Sequence, residues 1–298
     1  MKKTIDGSFI AMLESRDLHL HRPMDGLFGG NRRARSYGSS VEFADYREYH
    51  PGDDLRRVDW NLYARFEKMF LKLFVDEKQL HHRIYLDCSS SMDWGRMNKS
   101  HLALKMAAAL GFLSVQAMDR VSYYALKGET CQELYGRIFG REAFYRAADG
   151  LNELEFKGEC DLGKAILSQE DPGKNDGLSI IISDFMTESD WKSAVDYLVH
   201  RKREVYLIQI LARDEITPSL AGRVFMLDSE SMDEDDVRNE RHEITRSAMK
   251  AYEEALLYHQ NDLRQFCDSR GVGFLTIPSD ESIERLLFLH ATEVGLIK

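Results

Sequence analysis

Ile84-Tyr85-Leu86-Asp87-Cys88-Ser89-Ser90-Ser91-Met92 decides the reading of this chain: a short apolar run of strand character enters an Asp-x-Ser-x-Ser loop. Behind it a long apolar helix is predicted from Asn98 to about Met118, with Leu102, Met106, Leu110, Leu113 and Ala117 on one stripe. That order puts the loop at the carboxyl end of a strand, where open α/β sheets hold their ligands. Alternate residues of an extended strand end point the same way, so Asp87, Ser89 and Ser91 can converge on one point. One carboxylate and two hydroxyls are hard oxygen donors, suited to Mg²⁺ better than to zinc or copper. By itself the same spacing also fits a Ser-rich turn that only caps the helix after it.

The chain has 298 residues, 43% apolar and 30% charged. That is enough for one large α/β domain or two modest ones with a buried core. A formal charge of −10 argues against non-specific nucleic-acid binding, which needs an excess of Lys and Arg. No apolar run reaches the roughly eighteen residues of a membrane span, so no membrane insertion is expected. The start, Met1-Lys2-Lys3-Thr4-Ile5-Asp6-Gly7, has no apolar stretch of signal-peptide length behind it. Cys88, Cys131, Cys160 and Cys267 are scattered without a Cys-x-x-Cys pair, as reduced thiols are, unlike a disulfide framework or a zinc site. A cytoplasmic location is the expectation.

Residues 1 to 25 hold a short amphipathic helix (Phe9, Ile10, Leu13) and a polar connection. Gly26 to Ser40 reads as a Gly-rich loop; its Arg32, Arg33 and Arg35 could alternatively meet an acidic partner or a phosphate. Pro51-Gly52-Asp53 marks a turn. Around it Asp53, Asp54 and Asp59 stand near Arg56, Arg57 and Arg65, an ion-pair and turn network more than a catalytic acid cluster. Trp60 is expected to be a buried anchor. A strand follows from Met69 to Val75.

Beyond Asp87 the pattern alternates as in a parallel sheet wrapped by helices. Arg120–Leu126 and Thr130–Tyr135 read as a hairpin across Lys127-Gly128-Glu129, and 142–154 and 162–168 as helices. Leu178-Ser179-Ile180-Ile181-Ile182-Ser183-Asp184 is nearly continuous apolar sequence, as expected of a central parallel strand. A helix at 190–200, a strand at 205–211 and a last sheet strand at 223–227 follow, then an acidic, solvated connection at 228–240. Ile244, Ala248, Ala251, Ala255, His259, Leu263 and Phe266 mark a long amphipathic helix ending near Gly271, before a strand at 272–277 and a final helix at 282–293. The fold class expected is a Rossmann-like three-layer α/β domain, a mostly parallel sheet flanked by helices. Residues 1–80 would form an amino-terminal extension and 81–298 the sheet domain.

If the Ile-rich strand lies beside the strand of Asp87, Asp184 shares its crevice. Gly158-Glu159-Cys160-Asp161-Leu162-Gly163 would add a third loop that opens a helix. His81 and His82 are strand neighbours that face opposite ways and cannot share an ion, Cys88 suits a small core position, and Asp93 and Trp94 are rim or cap residues.

The Asp87-x-Ser89-x-Ser91 loop, the loop at 158–163 and Ile182-Ser183-Asp184 resemble the metal-ion-dependent adhesion site of von Willebrand factor A domains. The block at 42–65, Glu-Phe-Ala-Asp-Tyr-Arg-Glu-Tyr-x-Pro-Gly-Asp-Asp-Leu-Arg-Arg-Val-Asp-Trp-x-x-x-Ala-Arg, resembles the bacterial family called domain of unknown function 58, which joins such a block to an A-type domain. The resemblance implies that Asp87, Ser89, Ser91 and Asp184 hold a divalent cation, Mg²⁺ first, with Mn²⁺ or Ca²⁺ as alternatives. It implies a MoxR-type AAA+ ATPase as partner, and a client protein whose Asp or Glu completes the ion's coordination. One departure stands out: Cys160 occupies the position of the family's second-loop Thr ligand. A thiol is a poor Mg²⁺ ligand, so Asp161 or a water would substitute, or the site would weaken or drift to a softer ion.

The expectation is therefore a binding module and not an enzyme. A Mg²⁺-dependent hydrolase using Asp87 and Asp184 would need an activated nucleophile or a second metal. No Gly-rich phosphate loop with a following Lys occurs, and no Ser/His/Asp trio has a local signature. A metal-free structural scaffold is the third reading, hinted at by Cys160 alone.

Overall fold

Strands buried on both faces are written as continuous apolar runs, and three of them build the centre of this protein. They are β3 (His81–Asp87), β6 (Leu178–Ser183) and β7 (Glu204–Leu211). The structure is a computed structural model that describes residues 3–15, 18–20, 43–74, 79–94, 98–174, 177–218, 222–226, 240–244 and 246–297. It divides into two units, Pro23–Gln79 and the remainder, Met1–Arg22 with Leu80–Lys298.

In the larger unit β4 (Arg120–Lys127), β5 (Thr130–Ile138) and β10 (Gly273–Pro278) complete a six-stranded sheet of order β10-β7-β6-β3-β4-β5. All neighbours are parallel except β4 and β5, the expected hairpin. From β3 the chain crosses to β4 through α3 (Lys99–Gln116), turns back in β5, and returns past β3 to β6 on its other side. The strand order therefore reverses between β3 and β6, and the crevice beyond their carboxyl ends is where such sheets bind ligands.

Alternation along the strands splits the core into two layers. Ile84, Leu86, Ile180 and Ile182 pack with α3, α4 (Arg141–Leu151), α1 (Gly7–Glu14) and the carboxy-terminal segment. Tyr85, Ile181 and Leu207 pack against α5 (Leu162–Leu167), α6 (Trp191–His200) and α8 (Arg246–Arg270). Ile5, Phe9 and Leu13 belong to the first layer, so the amino-terminal helix goes with the sheet and not with the signature block that follows it. α3 is apolar nearly all round because it is buried nearly all round. Its Gly111 lies where a side chain would run into the Tyr123 hydroxyl, which donates to the Ala107 carbonyl at 3.3 Å. At the amino ends of the strands, His82 Nε2 lies 3.3 Å from Asp119 and His81 Nε2 lies 2.7 Å from Ser122, on separate faces.

Three expectations are corrected. The strand near 223–227 exists as β8 (Gly222–Met226), but it pairs with β9 (Glu240–Ile244) in a separate hairpin, and β10 takes the sheet edge instead. The final helix is broken into a turn at Ile283–Arg285, a wide π turn at Leu286–His290 and a last turn at Ala291–Glu293. Trp60 is not a buried anchor but 57% exposed, meeting Tyr63 edge-on at 6.1 Å. Its helix, α2 (Trp60–Phe66), buries none of its residues, because so small a unit has little core to offer.

The smaller unit pairs β1 (Phe43–Glu48) antiparallel with β2 (Phe70–Phe74). An ion-pair and turn network is present there, but Arg47 and Lys72 supply its cations in place of the expected Arg56, Arg57 and Arg65. Asp59 caps α2 by accepting from the Asn61 and Leu62 amides, and its other oxygen meets the Tyr46 hydroxyl at 3.0 Å and Lys72 at 3.2 Å. Arg47 pairs with Asp53 at 2.8 Å across the Pro51-Gly52 turn. The Gly- and Arg-rich stretch at 26–40 lies outside the described residues, as does the acidic connection apart from Glu240. Among the described residues no helix is long and apolar enough to cross a membrane.

Candidate metal and ligand site

Asp87 ends β3 with its carboxylate fixed from two sides. Oδ1 accepts from the Ser89 amide at 2.9 Å, and Oδ2 accepts from the Ser183 hydroxyl at 2.6 Å. The hydroxyls of Ser89 and Ser91 lie 3.0 Å apart, Ser89 buried and Ser91 half-buried on the open side. The first loop thus brings one carboxylate and two hydroxyls together, as its spacing implies. Cys88 turns the other way into the core, its thiol donating to the Leu86 carbonyl at 3.4 Å, and burial pushes that thiol up to about 12. Asp93 accepts from the Asn98 side chain at 2.8 Å and from Ser100 at 3.2 Å, tying the turn Ser90–Asp93 to the start of α3.

The second loop is stitched to the first. The Lys157 amide donates to the Cys88 carbonyl at 2.8 Å, the Ser90 amide to the Gly158 carbonyl at 2.9 Å, and the Gly158 amide to the Ser90 hydroxyl at 2.7 Å. Gly158 adopts φ +77°, a conformation that costs glycine little. Cys160 follows, buried in the apolar layer with Tyr85, Tyr124 and Leu162. Asp161 caps α5, its Oδ1 accepting from the Lys164 amide at 3.0 Å and its Oδ2 lying 3.4 Å from the Lys164 ammonium.

Asp184 stands at the end of β6, in the same crevice as Asp87. The next residue, Phe185, has a left-handed backbone (φ 54°), held by its amide donating to the Ser183 hydroxyl at 3.0 Å. Asp184 Oδ1 accepts from the Met186 amide at 3.0 Å. Its Oδ2 accepts from the ammonium of Lys99, 2.7 Å away, and the same ammonium reaches Glu215 Oε1 at 2.7 Å. Glu215 lies on α7 (Arg213–Ile216), with Oε2 accepting from the Ala212 amide at 2.6 Å. Burial by itself would favour a neutral Lys99, but the two carboxylates outweigh it and hold the ammonium protonated. Burial and the neighbouring charge of Asp184 push Asp87 up to about 6, against the pull of the Ser183 hydrogen bond.

With all four groups ionised, the carboxylates of Asp87, Asp184 and Glu215 against the single ammonium of Lys99 leave a formal charge of 1 − 3 = −2. Among the described residues no three His, Cys, Asp or Glu side chains gather tightly enough to hold a metal by themselves. A cation here would rest on hydroxyls as much as on carboxylates. Asp87, Ser89 and Ser91 supply the hard oxygen donors that Mg²⁺ prefers, and their chemistry fits that ion. The sulfur of Cys160 does not.

Lys99, Glu215, Ser90 and Ser183 are absent from the sequence-based site. Lys99 did leave a signal, since a lysine in the first turn opposes the helix dipole and needs a reason to be there. Glu215 and Ser183 reach the site only through strand order, and Ser90 occupies a variable position of its motif.

A family model described as "Protein of unknown function DUF58" matches residues 45–260. The uncharacterized protein Rv1480 of Mycobacterium tuberculosis is 27% identical over 231 residues, 76% of this chain and 72% of that protein. Among solved structures, the conserved hypothetical protein BatB from Bacteroides thetaiotaomicron is similar with a TM-score of 0.42 and 12% identity, over 72% of this chain and 98% of that one. A von Willebrand factor type A structure from Catenulispora acidiphila is similar with a TM-score of 0.35 and 16% identity, over 48% and 35% of the two chains.

Proposed function

This chain belongs to the DUF58 family of proteins of unknown function, and for it we propose a binding module that captures a partner's carboxylate through a divalent cation, Mg²⁺ first. The observation that carries this reading is the convergence of Asp87, Ser89 and Ser91 at the sheet's switch point, in a cluster with two formal negative charges left over. When bound, Mg²⁺ supplies a coordination position that a partner's Asp or Glu can fill. Asp87 gives the ion its anionic anchor, and Ser89 and Ser91 give it neutral donors. The Ser183 hydroxyl and the Ser89 amide hold Asp87 in one orientation, as outer-shell groups do for metal ligands.

A binding role is favoured over hydrolysis because the hydroxyl that Asp87 holds at 2.6 Å, that of Ser183, is buried out of a substrate's reach. Ser89 and Ser91 bond to each other, and Ser183, fully buried, donates to Asp87 while accepting from Phe185. We infer a MoxR-type AAA+ ATPase as the partner, with a client protein presenting Asp or Glu, in the cytoplasm. This rests on the resemblance carried by the 42–65 block.

The test is co-purification of the full chain with a MoxR-type ATPase in Mg²⁺ and in EDTA. Capture should require the metal and be lost in Asp87→Ala and Ser89→Ala. Normal capture by both variants overturns the reading.

A further inference from the structure

Lys99 opens α3 with a fully buried positive charge where the helix dipole disfavours one. A buried lysine persists only when paired, and both of its partners lie on other elements, Asp184 at the end of β6 and Glu215 on α7. Those two carboxylates share the one ammonium. Asp184 gives one oxygen to the Met186 amide and the other to the ammonium; Glu215 gives one to the Ala212 amide and the other to the ammonium. Asp87 differs. Its partners, the Ser89 amide and the Ser183 hydroxyl, are neutral, so no bonded cation compensates its charge.

We propose that Lys99 is the specificity-determining residue of the cation site, withdrawing Asp184 and Glu215 from coordination so that a divalent ion meets Asp87 as its one carboxylate. The assignment rests on the proposed function and departs from the resemblance, in which Asp184 is a ligand. An ion held by one carboxylate and two hydroxyls keeps surplus positive charge, which an anionic ligand neutralises and a neutral one does not. The site therefore selects carboxylate-bearing ligands, and it holds its ion weakly until one arrives.

The test is calorimetric titration of the EDTA-stripped full chain with Mg²⁺ and Mn²⁺, for wild type, Lys99→Met and Lys99→Met/Glu215→Gln. The double variant keeps the cluster's formal charge at −2 and leaves no unpaired Glu215 charge, so it guards against a single variant that fails to fold. Freed for coordination, Asp184 should tighten ion binding by about tenfold or more in both variants, since affinity follows ligand charge count. Added acetate should strengthen ion binding more in wild type than in either variant. Equal affinities in wild type and the double variant overturn the assignment of Lys99 while leaving the binding module standing. Ion binding by the variants but not by wild type overturns the cation-mediated function while sustaining Lys99 as the group that holds Asp184 off the ion. Absence of binding in all three overturns both.

Discussion

The Ser183 hydroxyl donates a 2.6 Å hydrogen bond to Oδ2 of Asp87, joining the ends of two adjacent strands from positions 96 residues apart. Sheet order alone makes this contact, since β6 reaches Asp87 only by returning past β3. The bond orients the carboxylate and favours its charged form.

Ser183→Ala should therefore weaken Mg²⁺ binding by roughly 10- to 100-fold, the usual cost of losing an outer-shell partner. The fold should lose only about 1 kcal/mol, the net worth of one hydrogen bond. Calorimetry and thermal melting of the same preparation separate the two effects.

Asp87 also makes the metal-free protein sensitive to pH. Its carboxyl is pushed from an ordinary 3.8 up to about 6, so the folded state binds this proton more tightly than the unfolded chain does. The stability it contributes is fully present below pH 3.8 and is lost as pH rises through about 6. Melting temperatures of EDTA-stripped wild type, taken relative to Asp87→Asn, should fall across that window and level off above it. A difference that rises instead contradicts the buried, repelled carboxylate described above.

Much of the site was legible because its chemistry is local. The spacing of Asp87, Ser89 and Ser91 and the Ile-rich run ending at Asp184 need only strand periodicity to be read. What escaped was tertiary. Apolar pattern announced a strand at 223–227 but could not say that its partner would be β9 instead of the sheet. An aromatic side chain suggested burial at Trp60, yet burial depends on the size of the core available, and that unit has little. Lys99 in the first turn of its helix hinted at a partner, but the two carboxylates that meet it come from elements far along the chain.

The signature block makes its own prediction. Asp59 accepts from two amides of α2 and from Tyr46, and it pairs with Lys72. Asp59→Ala should cost roughly 1–2 kcal/mol of local stability through the lost cap. Faster amide hydrogen exchange across Trp60–Phe66, with an unchanged Mg²⁺ titration, is the expected outcome.

The most direct measurement is calorimetric titration of the EDTA-stripped full chain with Mg²⁺, run beside Asp87→Ala. The account predicts one-site binding by the wild type and none by the variant, with the variant still folded. Matching heats from the two proteins, or no binding by the wild type, would contradict it.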